Sequence, residues 1–244
     1  MATDLVLGYG SRTVIARTSF EIPSAAVTAL IGPNGAGKST LLHALAGQLE
    51  PRGGRLAVAA ADRPGGVAYV LQGTKVNEQL PLTVRETVTM GRYALTGPFR
   101  RLRSVDRAAV DGALDALAIG DLANRQLREL SGGQRQRAFV AQGLAQEADL
   151  LLLDEPITGL DVLSRQHIVA AIEAQVAAGR TVVASTHDLG DASEADHLLL
   201  LAGRVVACGP PAAVLTDEHL TDAYGGHLLR FGESTLVLDD HPHH

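Results

Sequence analysis

An α/β fold is the architecture that three observations point to. Short apolar runs of strand length, Val27-Thr28-Ala29-Leu30-Ile31, Leu150-Leu151-Leu152-Leu153 and Thr181-Val182-Val183-Ala184-Ser185, recur between helix-patterned segments. The first leads directly into a glycine-rich turn, Gly32-Pro33-Asn34-Gly35-Ala36-Gly37-Lys38-Ser39-Thr40, followed by the helical pattern Leu41-Leu42-His43-Ala44-Leu45-Ala46. The second ends in two acids, Asp154-Glu155. A chain of 244 residues fits one such domain with a sizeable core, and 46% hydrophobic with only 3% aromatic residues leaves Ala, Val and Leu to fill it.

Taken in order, residues 4–7 and 14–21 read as strands preceding the strand at 27–31. A helix then runs to about Gly47, and Pro51-Arg52-Gly53-Gly54 signals a turn. Residues 67–71 are a further buried-strand pattern, and Gln72 opens a polar stretch. From Thr83 to about Gln146 the pattern is helical, with Ala109, Val110, Ala113, Leu114 and Leu117 on one face, which predicts an inserted helical layer. Strand character returns at 150–153, 181–185 and 198–206, and no internal repeat or second glycine-rich turn interrupts this organisation.

The turn at 32–40 fits the pattern G-x-x-x-x-G-K-[ST] at every fixed position, between a strand and a helix as that motif requires. Its glycines let consecutive backbone N–H groups turn toward one anion at a helix N-terminus. Lys38 supplies a positive charge to the β and γ phosphates, and the Ser39 hydroxyl is a ligand for Mg²⁺. A nucleoside triphosphate with Mg²⁺ is therefore the expected ligand pair.

Composition restricts the remaining possibilities. A formal net charge of −6 argues against nucleic acid as the partner. Cys208 is the single cysteine, so neither an internal disulfide nor a cysteine-based zinc site is expected. Met1-Ala2-Thr3-Asp4 lacks the features of a secretory signal, and no run approaches the ~18 apolar residues of a spanning helix. The expected location is cytoplasmic, with membrane association only through a partner.

Two further segments carry chemistry. An acid at the end of an apolar strand reaches Mg²⁺ in P-loop enzymes, which assigns Asp154 to the metal; the adjacent Glu155 can accept a proton from the attacking water. Leu130-Ser131-Gly132-Gly133-Gln134 opens a helix: Ser131 suits the N-cap, and the glycines bare backbone N–H groups as a second anion site.

Together and in this order, the motifs resemble the ATP-binding cassette, or ABC, ATPases, over roughly residues 5–226. The resemblance implies a P-loop NTPase with a RecA-like core, an antiparallel β subdomain and an inserted α-helical subdomain. It places the ATPase domain at 1–230, with core about 1–76 and 147–215, helical subdomain about 77–146, and a short tail at 231–244. It further implies that Tyr9 stacks on adenine, that Gln72 links Mg²⁺ and water to the membrane partner, that Gly159-Leu160-Asp161 communicates across a dimer, and that His187 contacts the γ-phosphate. The implied assembly is a head-to-tail homodimer sandwiching two ATP, each between Lys38 of one subunit and Ser131, Gly132 and Gly133 of the other. Such a motor works beneath integral membrane permease subunits, peripheral to the inner face of the membrane, and indirectly with a solute-binding protein.

The segment from Gln79 to Tyr93 resembles importer ATPases for manganese, zinc, iron and iron chelates, and Pro98-Phe99-Arg100-Arg101-Leu102 resembles a basic turn of the manganese and zinc group. A divalent metal cation is the expected cargo, with siderophore, haem or cobalamin left open because the motor never touches cargo. ABC ATPases of DNA repair place a long coiled coil between the two glycine motifs, and 38–130 is too short for one and lacks heptads. A small-molecule P-loop kinase has no use for 130–134. In the tail, Asp239-Asp240-His241-Pro242-His243-His244 could bind a divalent metal weakly, but a polar tail or a tag remnant explains it as well, and no site residue is assigned there. One departure from the family pattern stands out: Ala25-Ala26 replaces the usual glycine of the turn before the P-loop strand.

Overall fold

The computed structural model describes residues 1–71, 81–225, 228–231 and 234–237. In chain order the elements are β1 (Ala2–Tyr9), β2 (Arg12–Phe20), β3 (Val27–Ile31), α1 (Lys38–Leu45), β4 (Gly53–Leu56), β5 (Val67–Val70), α2 (Val84–Met90), α3 (Tyr93–Thr96), α4 (Ser104–Ala116) and α5 (Gly132–Ala145). They continue as β6 (Leu150–Leu153), α6 (Val162–Ala177), β7 (Thr181–Ser185), α7 (Leu189–Ser193), β8 (His197–Leu201), β9 (Val205–Gly209), α8 (Pro211–Val214), α9 (Asp217–Tyr224), β10 (Leu228–Phe231) and β11 (Ser234–Val237). Two compact units divide the chain, Met1–Val58 with Ala184–His244 and Ala59–Val183, the division falling inside β7.

In the first unit, β1 lies between β2 and β4 in an antiparallel sheet, and Tyr9 faces Arg12 across the tight turn at Gly10-Ser11. β3 and β8 pair in parallel, Ala29 opposite Leu198 and Ile31 opposite Leu200. Apart from Thr28 and His197, these runs are apolar because both of their faces are covered. Ala29, Ile31, Leu198 and Leu200 share a core with Ala192 of α7, Val214 of α8, and Leu220 and Tyr224 of α9. The single strand expected at 198–206 is in fact two: the turn at Ala202-Gly203-Arg204 reverses the chain, and β9 returns antiparallel along β8. The hairpin of β10 and β11, Leu228 opposite Val237, had no signal in the sequence reading.

Ala25 takes φ +52, the left-handed region that glycine ordinarily fills. For an alanine this costs on the order of 1–2 kcal/mol. The backbone of the glycine turn is thus kept although its residue has changed.

The second unit pairs β5 with β6 in parallel, from Val67 opposite Leu150 to Val70 opposite Leu153. Thr83 and Glu86 cap α2 reciprocally: the Thr83 Oγ1 accepts from the Glu86 N–H, and the Glu86 carboxylate accepts from the Thr83 N–H. Helices α2, α4 and α5 pack on one another, with Val110, Ala113, Leu114 and Leu117 buried as their spacing predicts.

Less expected is an ionic cluster among these helices. Arg92 is 3% exposed and Asp106 0% exposed. The Arg92 guanidinium donates to Asp106 Oδ1 at 2.9 Å, to the Ala145 carbonyl at 2.8 Å and to the Glu147 carboxylate at 2.8 Å, tying the ends of α2 and α5 to the start of α4. Asp106 also accepts from the Arg103 backbone N–H at 2.9 Å. That backbone bond first, and the Arg92 and Arg103 side chains after it, outweigh burial and hold the Asp106 carboxyl at about 2, below its ordinary 3.8.

A carboxyl depressed on folding contributes stability that is complete above its unfolded value and is lost as pH falls through the folded one. At roughly 1.4 kcal/mol per unit, Asp106 contributes about 2 kcal/mol at neutral pH. Urea unfolding at about pH 5 and about pH 3 should show the parent losing about 1 kcal/mol more than Asp106→Asn across that interval. Parallel losses in the two proteins would contradict the cluster's role.

Candidate nucleotide-binding site

The glycine-rich turn is built into the first unit by close backbone contacts. Gly32 lies against the end of β8 so tightly that a Cβ there would sit 2.0 Å from the Leu201 carbonyl oxygen. The turn between β8 and β9 grips the loop a second time, the Gly203 N–H donating to the Ala36 carbonyl at 3.1 Å. Ala36 N–H in turn donates to the Pro33 carbonyl at 3.1 Å, which closes the loop before α1 begins at Lys38. Pro33, Asn34 and Gly35 form the outer part of the loop, with Asn34 and Gly35 exposed.

Lys38 is 8% exposed, and its ammonium donates to the Gly32 carbonyl at 2.6 Å and the Pro33 carbonyl at 3.4 Å. A buried cation is tolerable only where oxygens replace its water. Here the loop curls round it and provides them. The first-turn amides of α1, including those of Ser39 and Thr40, have no intrahelical acceptors, so loop and helix end together present N–H groups and a positive charge.

Two other predicted residues join this unit. Tyr9, at the end of β1, is 48% exposed, and its hydroxyl meets His43 Nδ1 of α1 at 2.8 Å. His187 is exposed in the turn after β7, and its neighbour Thr186 donates its backbone N–H to the Leu30 carbonyl at 3.0 Å. That bond anchors the turn to β3 two residues before Gly32. The Thr186 hydroxyl accepts from the Asp188 N–H at 3.1 Å and fixes the other side of His187.

In the second unit, Asp154 follows β6, 5% exposed, with its backbone N–H bonded to the Val70 carbonyl at 2.9 Å. Tyr69 Oη approaches its carboxylate at 3.5 Å. Glu155 takes φ +48. A left-handed glutamate costs on the order of 1–3 kcal/mol, and strain of this kind concentrates at functional sites. No sequence signal announces it.

Ser131 caps α5 as expected: its Oγ accepts from the Gln134 N–H at 3.3 Å, and Gln134 Oε1 accepts from the Ser131 N–H at 3.1 Å. Leu130 is buried beneath the cap. Gly133 faces the start of α6, where a Cβ would lie 2.6 Å from Ser164 Oγ and 2.8 Å from Asp161 Oδ2. Asp161 is itself the N-cap of α6, accepting from the Ser164 N–H at 2.9 Å and the Ser164 hydroxyl at 2.8 Å. Donation from the Ser164 backbone, then from its hydroxyl, lowers the Asp161 carboxyl. The predicted dimer loop and the predicted second anion site are thus neighbours in space. Gln72 and the tail at 239–244 lie outside the described residues.

Sequence reasoning missed His43, Tyr69 and Ser164; the His43 and Tyr69 contacts join residues 34 and 85 apart in sequence, which no local pattern reveals. Asp161 followed three residues later by Ser164, before an apolar helix, was the one readable capping signal among them.

Comparison with known proteins identifies the family. The ABC transporter family pattern matches residues 15–158. The zinc transport system ATP-binding protein TroB of Treponema pallidum is 39% identical over 231 residues, covering 92% of this chain and 86% of that protein. The manganese transport system ATP-binding protein MntB of Bacillus subtilis is 34% identical over 238 residues, covering 96% of this chain and 95% of its own. A solved ABC transporter assigned to the metal-chelate type, in an inward-facing conformation, superposes with a TM-score of 0.80 at 28% identity over 96% of this chain and 94% of that one. The chain belongs to the ABC transporter family, as an ATP-binding domain whose activity is ATP hydrolysis.

Proposed function

We propose that this chain is the ATP-hydrolysing motor of an importer for a divalent metal cation, zinc, manganese or iron, acting as a homodimer beneath a membrane permease that receives cargo from a solute-binding protein. The observation that carries the cargo class is similarity over more than nine tenths of the chain to ATP-binding proteins of zinc and manganese transport systems. A chelate cargo is the second reading, favoured by the likeness to a transporter of metal-chelate type. No helix among the described residues is long and apolar enough to cross a membrane; as a motor, the chain works at the inner face of the membrane, held there by its permease.

Residues 1–76 and 147–215 act as the catalytic core, and the helical segment 77–146 carries the contact with the permease. A groove of about 340 Å³ in the second unit, where Leu71, Met90 and Phe139 lie beside Tyr69, Gln142 and Gln146, supports this reading, because its mixed apolar and polar lining offers a seat for a short permease helix.

Lys38 and the amides of 35–40 hold the phosphates, and Tyr9 stacks on the base. The oxygen donors Ser39 and Asp154, with Gln72, suit Mg²⁺, which prefers such ligands. When bound, that ion neutralises charge on the β and γ phosphate oxygens. Glu155 accepts a proton from the attacking water, and His187 donates a hydrogen bond to the γ-phosphate. The amides of Ser131, Gly132 and Gly133 from a second copy complete the anion shell. Val162 and Leu163, 71% and 67% exposed beside the Asp161 cap, support a dimer whose face includes this corner.

Glu155→Gln should keep ATP affinity, slow hydrolysis by about 10²-fold or more, and accumulate an ATP-bound dimer on size-exclusion chromatography. Hydrolysis at the parent rate would remove Glu155 from the role of base. In cells lacking the chain, uptake of radiolabelled Mn²⁺, Zn²⁺ or Fe should fall for one free cation and return with the parent but not with Glu155→Gln. Normal uptake of all three, with loss of chelated iron uptake, would favour the second reading.

A further inference from the structure

We propose that His43 is a positioning residue for the nucleotide base, holding the Tyr9 hydroxyl and thereby setting the plane of the Tyr9 ring. The proposal rests on the reading that this ring stacks on the base. Tyr9 ends β1 at the tip of a hairpin and is 48% exposed, so local packing alone leaves its ring free to change rotamer. The 2.8 Å contact between Tyr9 Oη and His43 Nδ1, spanning 34 residues of sequence, restricts that freedom.

The partner's location gives the contact its meaning. His43 projects from α1, the helix that begins at Lys38. Five residues of helix amount to about 7.5 Å of rise, so the ring is referenced to the same rigid rod that ends at the phosphate loop. A ring pinned in this way meets the base without first being ordered, which improves binding through pre-organisation rather than through a new contact. Protonation of the imidazole does not abolish the tether. With Nδ1 unprotonated the phenol donates, and with Nδ1 protonated it accepts.

Stacking tolerates any base, because every base has a π face. The tether therefore affects affinity for purine nucleotides in general, and should weigh equally on ATP and GTP.

The test is steady-state hydrolysis and equilibrium binding with the full chain. His43→Ala and Tyr9→Phe should each raise KM for ATP and for GTP by about three- to tenfold, with kcat within about twofold of the parent. The double variant should be no worse than either single one, because both remove the same bond. His43→Asn, which keeps a hydrogen-bonding atom near the Nδ1 position, should stay within about twofold of the parent KM. Unchanged KM in the single variants, or purely additive effects in the double, would overturn the tether. A merely structural role for His43 would instead lower kcat and melting temperature as KM rises, and His43→Asn would not restore them. Tyr9→Ala separates this proposal from the reading beneath it. Unchanged KM in Tyr9→Ala removes the ring from the nucleotide altogether, whereas raised KM there, with Tyr9→Phe and His43→Ala at parent values, rejects the tether alone.

Discussion

A buried ammonium held by backbone carbonyls is the interaction around which the first unit is organised. Lys38 is nine-tenths buried, and a lone cation in that position would be costly without oxygens to replace its hydration. The Gly32 carbonyl supplies the shortest contact, and Gly32 can be where it is only because it lacks a Cβ against Leu201. Leu201 in turn is placed by the register of β8 on β3, and the Gly203 turn holds Ala36 from the far side. Sheet pairing, hairpin and helix start therefore all converge on one charge, and a phosphate is the group such a charge is suited to meet.

The second unit uses helix starts in a related way. Thr83, Ser131 and Asp161 each cap a helix through a side-chain oxygen. At α5 the cap does more than stabilise. Ser131 takes the Gln134 N–H, so the amides of the two glycines before it lack intrahelical acceptors and remain oriented along the helix axis. Gly133 also lets α6 approach, which brings Asp161 and the exposed Val162 and Leu163 beside that helix end. Helix-start amides without intrahelical acceptors and exposed apolar side chains thus lie at one corner of this unit.

The readable part of the molecule was the part specified by short-range chemistry. Glycine spacing, the apolar run of β6 and the cap at Ser131 each encode their own structure locally, and the family resemblance followed from their order. What escaped reading depends on distant partners. The reversal at Gly203 was hidden because both strands flanking it are apolar, so 198–206 reads as one run. Asp106 lies in a helix whose sequence pattern makes it a surface acid, yet Arg92, 14 residues away, draws it into the interior. Ala25 looked like a lost glycine, while the backbone kept the glycine conformation. His43 sits on the apolar-patterned P-loop helix, and nothing near it in sequence points to Tyr9.

The central claim, that Lys38 is placed to meet a phosphate, is tested most directly by Lys38→Met, which keeps the side chain's length and removes its charge. Equilibrium binding of ATP and thermal unfolding would be measured on the same purified protein. The account predicts a variant that still folds, with some loss of melting temperature because the Gly32 carbonyl loses its donor, and with ATP affinity reduced by about tenfold or more. A variant that binds ATP as the parent does would contradict it.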